Sequence, residues 1–190
     1  LLEAIAVAYG FNAEGGSKNF LFSTAKTHSE LHEDIIITKG PYRPEGSYFL
    51  RAESFYNLAT EIDELDGGSG GLLGGYGGVS LHHQSHGEAF LALVRNRFKP
   101  RGLYLLDEPE AALSPMNQIA LLRVLHDLAE CGSQLIIATH SPILLALPDA
   151  EIMLFDEGGP TEIDYEETEH YRVTRDFFEN QGLFLKHLLG

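Results

Sequence analysis

Leu103-Tyr104-Leu105-Leu106-Asp107-Glu108-Pro109 is the run that decides how this chain folds and where its chemistry lies. Four consecutive apolar residues, stopped by a proline, read as a strand buried on both faces. That strand delivers two adjacent carboxylates to its end. Burying two like charges there without partners costs several kcal/mol. A cation is the economical explanation. The first carboxylate suits Mg²⁺, which takes one or two protein oxygens together with waters and substrate phosphates. The second is then left to orient an attacking water. A solvated strand-end pair is the alternative, and these seven residues alone do not separate the two.

Downstream, Ser114-Pro115 is a helix N-cap followed by proline at the first helical position. Ile119, Leu122, Leu125, Leu128 and Ala129 mark one face of that helix, and Gly132 ends it. Gln134 to Thr139 reads as a second buried strand, running into His140-Ser141-Pro142 and a short helix through Leu147. Ile152 to Phe155 reads as a third strand, followed by the turn 156–160 and an antiparallel partner at Thr161 to Tyr165. An amphipathic helix over Phe177 to Leu189 closes the chain. Upstream, Gln84-Ser85-His86-Gly87-Glu88 opens a helix over Glu88 to Arg97, so its hydroxyl and backbone N–H groups can face an anion. Strands alternating with helices predict an α/β fold, a mostly parallel sheet flanked by helices. In such sheets ligands lie beyond the carboxyl ends of the strands. His140 is expected at the same sheet edge as Asp107 and Glu108, where it is a candidate phosphate contact; a structural histidine is the alternative.

The first third is less regular. LLEAIAVAYG (residues 1–10) is a helix apolar nearly all round, hence buried, with Gly10 as its stop. Glu14-Gly15-Gly16-Ser17 is a turn. Ile35 to Thr38 and Ser47 to Arg51 read as strands, and Phe55, Leu58, Ile62 and Leu65 give one face of a helix over Glu53 to Leu65. Residues 66–80 carry glycine at eight positions and read as a flexible loop. Neither they nor Gly15-Gly16-Ser17-Lys18 fits a phosphate-cradling glycine motif.

Acidic residues outnumber basic ones, 28 to 13, for a net charge of −15. That argues against broad affinity for nucleic acid or anionic membrane, while leaving a local nucleic-acid contact open. The single Cys131 excludes an internal disulfide framework and suits a reducing cytosol. No apolar run approaches a membrane span of about 20 residues. A cytoplasmic protein without membrane insertion is expected.

Three of these runs together resemble the ATP-binding-cassette (ABC-type) P-loop ATPases. LYLLDEP is similar to their Walker B motif, IIATHSP to their switch-histidine segment, and SHGE to their signature motif. SHGEAFLALV, DEPEAALSP and ATHSP look most like the soluble bacterial ATPases of that superfamily. The resemblance covers roughly Leu1 to Glu157. It implies a P-loop NTPase fold with a helical signature-motif region, ATP and Mg²⁺ as ligands, and hydrolysis within a head-to-tail homodimer that sandwiches two nucleotides. On that pattern Asp107 holds Mg²⁺ through its water shell, Glu108 polarises the attacking water, and His140 contacts the γ-phosphate. Ser85 and Gly87 contact the γ-phosphate of ATP held by the partner subunit, with Glu88 beside them in the place of the usual Gln. His86 and Ser114-Pro115 also depart from the pattern, which bears on communication between subunits. The Gln loop has no clear match; residues 48–53 are its zone.

In the resembled family the phosphate loop runs into a buried helix beginning much like Leu1 to Ile5. The expectation is therefore one ATPase domain over residues 1–190 that begins just after its Walker A motif and grips Mg-ATP poorly by itself. Its parts are residues 1–65, the glycine-rich loop 66–80, the signature region 81–98, and residues 103–190 with Walker B and the switch histidine. Two function classes stand: an ATP hydrolase doing mechanical or maintenance work, and a nucleotide-dependent binding module or transporter subunit acting through an unidentified partner protein. The pairs and triplets His28 and His32, or His82, His83 and His86, have metal-ligand spacing but no cysteine; a structural zinc is the lesser reading. Phe98-Lys99-Pro100-Arg101 is a small basic loop.

Overall fold

A computed structural model describes residues 1–17, 30–55, 60 and 85–190. They divide into two compact units, Leu1–Thr139 and His140–Gly190.

In the first unit a three-stranded parallel sheet runs in the order β1 (Ser47–Arg51), β2 (Leu103–Asp107), β3 (Gln134–Ala138). The register is regular. Arg51 pairs with Asp107, and Asp107 with Ala138, so these three stand in line across the carboxyl edge. Alternation along each strand sends side chains to opposite faces. One face carries Phe49 and Leu105, and α1 (Leu2–Tyr9) packs Leu2 and Ala6 against them, with Phe11 completing the cluster. Gly10 ends α1 in the left-handed region at φ 103°, the stop expected of glycine. On the other face Tyr48, Leu50, Tyr104 and Leu106 are buried. Phe98, which closes α2 (His86–Arg97), stacks on Tyr104 with ring centres 4.0 Å apart. Helix α3 (Pro115–Glu130) packs on α2 and β3. Ser114 caps α3 by accepting from Asn117 N–H, with Pro115 opening the helix as read from the sequence. Gly16 exchanges two backbone hydrogen bonds with Phe49 (2.7 and 3.1 Å), so the early turn docks on the outer edge of β1.

The second unit holds the antiparallel hairpin β4 (Met153–Asp156) and β5 (Gly159–Glu162), then α4 (Glu169–Glu179) and α5 (Gln181–Leu189).

Four local expectations need correction. Residues 35–38 form no strand: Ile36 is 92% exposed, and β-branched residues make a strand only where a ladder partner takes their backbone groups. The short helix through Leu147 is a succession of turns at 142–146, closed by bonds such as Leu145 N–H to Ser141 O. The strand near Ile152 forms the expected antiparallel hairpin, with residues 159–162 as its partner, and is not a third strand of the parallel sheet, where Ser47–Arg51 stands with the other two. The closing helix is two helices that meet at Asn180. The helix expected over Glu53 to Leu65 lies mostly outside the described residues, as does the whole glycine-rich segment 66–80.

Candidate functional site at the carboxyl edge of the sheet

The two carboxylates of the opening motif stand at the end of β2 in different environments. Asp107 is the last strand residue and half-buried. Glu108 is exposed, donates its N–H to Ala138 O (2.9 Å), and adopts φ 46°, ψ 50°. A non-glycine residue in this left-handed region costs about 1–3 kcal/mol and persists only where the surroundings impose it. Here the imposing elements are the β3 bond on one side and Pro109, which opens a short 3₁₀ turn over Pro109–Ala112, on the other. That turn is anchored in turn: Thr139 Oγ1 donates to Glu110 Oε2 at 2.7 Å, tying the end of β3 to the segment after Glu108.

A cation does accompany Asp107, and it is Arg51. The arginine Nε lies 3.2 Å from Asp107 Oδ2, its Nη1 2.9 Å from Glu3 Oε2 on α1, and its Nη2 3.5 Å from Glu53 Oε2. Nη1 also donates to Ala13 O at 3.2 Å. The buried Nε–H is not aligned on an acceptor, so its attraction to Asp107 is one of charge rather than of hydrogen-bond geometry. Burial nevertheless raises the Asp107 carboxyl above its ordinary value; Arg51 opposes this, and Glu108, Glu53 and Glu3 add to it. A carboxyl with a raised folded-state pKa costs no stability below its unfolded value and costs it in full above its folded one. Asp107→Asn is therefore expected to raise the urea midpoint of the metal-free protein at neutral pH, with the gain vanishing in acid. A lower midpoint at neutral pH would show that the Arg51 pairing outweighs burial.

The donor chemistry suits Mg²⁺. A hard carboxylate oxygen at a sheet edge is the protein contribution that ion asks for, the rest of its shell coming from water and phosphate. Asp107 is the residue that would hold it. Among the described residues no group of three or more His, Cys, Asp or Glu forms a ready-made cage. Of the histidines with metal-ligand spacing, His28, His82 and His83 lie outside the described residues.

Ser85, Gly87 and Glu88 come together at the start of α2. Ser85 Oγ donates to Glu88 Oε2 (2.6 Å) and accepts from Glu88 N–H (3.4 Å), and Ser85 N–H donates to Glu88 Oε2 (3.1 Å). This is a capping box, and it gives the Glu in place of the usual Gln a structural reason. Gly87 is buried, and a Cβ there would run into the Asn117 amide at the start of α3. The signature-like turn and the segment after β2 are thus in direct contact through Gly87, Asn117 and Ala112 O. The bonds from Ser85 lower the Glu88 carboxyl below its ordinary value. A lowered carboxyl stabilises above its unfolded value and loses that contribution as pH falls through its folded one. Ser85→Ala is accordingly expected to lower stability at neutral pH, and the gap from wild type to close in acid. An equal gap at both pH values would remove the carboxylate from the account.

His140 opens the second unit. Its Nδ1 lies 3.2 Å from Nε2 of His170, on the first turn of α4. Neither Arg51 nor His170 was singled out from the sequence. Arg51 lies within the Gln-loop zone 48–53, but only the β1–β2 register places it opposite Asp107. His170 sits 30 residues from its partner and carries no motif.

Part of the chain is similar to known proteins. Residues 72–146 match the family described as "AAA domain, putative AbiEii toxin, Type IV TA system". Over that stretch, less than half of the chain, the sequence is similar to that family. A 90-residue segment, 46% of the chain, is 36% identical to a "Putative ABC transporter ATP-binding protein" of Methanothermobacter thermautotrophicus. An 88-residue segment, 45% of the chain, is 34% identical to a protein of the same description from Methanothermobacter marburgensis. In both cases the match spans 31% of the relative's own length. The SMC head domain from Thermotoga maritima is similar at 16% identity and a TM-score of 0.38, over 60% of this chain and 52% of that one. Among the described residues no helix is long and apolar enough to cross a membrane.

Proposed function

We propose, from the similarity of residues 72–146 to an AAA-domain family, that the protein hydrolyses ATP with Mg²⁺ as a nucleotide-sandwich dimer. The observation that carries this reading is the end of β2. A half-buried carboxylate paired with Arg51 stands beside an exposed one whose backbone is held in a left-handed turn.

In this reading Asp107 would hold Mg²⁺, which supplies charge neutralisation for the phosphates when bound. Glu108 accepts a hydrogen bond from the attacking water and aims it at the γ-phosphorus. Its backbone, held at φ 46°, fixes the point from which the side chain reaches the water. His140 donates to the γ-phosphate. Ser85 and Gly87 meet the γ-phosphate of the ATP held by the partner subunit, with the N-terminal end of α2 favouring the anion. Because the Ser85 hydroxyl donates to Glu88, contact with phosphate requires it to rotate away, leaving Glu88 bonded through Ser85 N–H.

A second reading is favoured by the description of the two archaeal relatives: an ATP-binding subunit whose output lies in a partner protein. Sedimentation of the intact protein with Mg²⁺ and a non-hydrolysable ATP analogue tests the first. A shift from monomer to dimer is expected. A monomer at saturating analogue would discard the sandwich and leave the second reading.

A further inference from the structure

The histidine assigned to the γ-phosphate has a built support. His140 and His170 meet edge to face, ring centres 5.0 Å apart at 79°, with Nδ1 of the first 3.2 Å from Nε2 of the second. The backbone on both sides of this contact is fixed. Ser141, buried, accepts through Oγ from Ile143 N–H (3.1 Å) and Leu144 N–H (3.3 Å), which holds the turn after His140. Tyr165 donates its hydroxyl to Pro142 O at 2.8 Å. Thr168, also buried, donates to Tyr165 O (2.8 Å) and caps α4 by accepting from Tyr171 N–H (3.3 Å). Tyr171 packs its ring on Tyr165 at 4.6 Å. Residues 165–171 therefore grip the His140 segment at two points, the Pro142 carbonyl and the His140 ring.

A neutral imidazole has one N–H and one bare nitrogen, and the partner of one nitrogen decides the state of the other. An anionic phosphate oxygen accepts hydrogen bonds and donates none, so His140 must bring a proton on Nε2. An acceptor role for Nδ1 secures that. We propose that His170 is a positioning residue that donates its Nε2–H to His140 Nδ1 and thereby fixes His140 as the tautomer bearing its proton on Nε2, ready to donate to phosphate. The role and the direction of this bond rest on the assignment of His140 to the γ-phosphate; the 3.2 Å contact does not. The sequence ETEHY at 167–171 supplies the parts: Thr168 as cap, His170 as donor, Tyr171 as the packing surface for Tyr165.

The test combines ¹⁵N NMR of the histidine rings in the intact, nucleotide-free protein with phosphate release from Mg-ATP. In wild type, His140 should show one tautomer, Nε2 protonated and Nδ1 shifted as a hydrogen-bond acceptor. His170→Phe keeps a ring but no donor; His140 should redistribute between tautomers, and kcat should fall about tenfold, the scale for losing a group that orients a functional histidine, with KM for ATP unchanged. His170→Gln, whose amide NH₂ reaches the place of Nε2, should restore both readouts. An unchanged His140 spectrum in His170→Phe would overturn the proposal, as would failure of folded His170→Gln to restore the tautomer. Full hydrolysis by His140→Ala with the wild-type tautomer intact would instead overturn the phosphate assignment alone.

Discussion

Glu108→Gln is expected to slow ATP hydrolysis by about two to four orders of magnitude, the range for removing a positioned general base. ATP affinity should stay near wild type, and the nucleotide-bound dimer should accumulate. The reasoning starts from the backbone. Glu108 is the residue at φ 46° between β2 and the 3₁₀ turn, so its backbone is set by Pro109 and by the bond to Ala138 O. Glutamine occupies the same volume and backbone shape, so the fold and the ATP contacts are preserved. What it lacks is the negative charge that accepts from and orients water. Binding and turnover should therefore separate. Hydrolysis at the wild-type rate would remove Glu108 from the mechanism, and lost ATP binding would make it a structural residue.

Arg51→Met is expected to destabilise the protein by about 2 kcal/mol. Exposed ion pairs contribute ~0–1 kcal/mol, whereas breaking a buried pair costs ~3–5 kcal/mol. Arg51 is 19% exposed, with Asp107 at 25% and Glu3 at 26%, which places this pair between those limits. Methionine keeps much of the aliphatic volume, so the loss is chiefly of charge. Three carboxylates on α1, β2 and the segment after β1 would then face one another without the arginine that bridges them. Urea denaturation of the metal-free protein measures it, and added Mg²⁺ should recover part of the loss. Arg51→Lys keeps the charge but cannot reach three carboxylates at once, and should fall between the two. A midpoint for Arg51→Met equal to wild type would mean that the cluster is solvated and the arginine incidental.

The parts of the fold that sequence reveals are those where one signal dominates. Leu103 to Leu106 is apolar at every position, and a run cut off after four residues by Asp-Glu-Pro has the length of a strand rather than a helix. Ser114-Pro115 marks a helix start by two independent chemistries, a cap and a fixed φ. Ile35 to Thr38 misleads because β-branched composition describes willingness to pair, while pairing needs a neighbour. The strand near Ile152 misleads because an apolar run does not state which sheet it joins, and Gly158-Gly159 favours the local hairpin. At the candidate site, the residues that carry motifs can be proposed from sequence and their supports cannot. Asp107 and Glu108 announce themselves, but Arg51 reaches Asp107 only through strand register. The left-handed backbone of Glu108 comes from a tertiary bond to β3. His170 meets His140 only because the 165–171 segment folds back on Pro142.

Phosphate release from ATP by the intact wild-type protein, with Mg²⁺ and with chelator, side by side with Glu108→Gln, tests the central claim most directly. The account predicts turnover in wild type that chelation abolishes and Glu108→Gln nearly so. Equal release from the two proteins, or no release from a wild type that binds Mg-ATP, would contradict it.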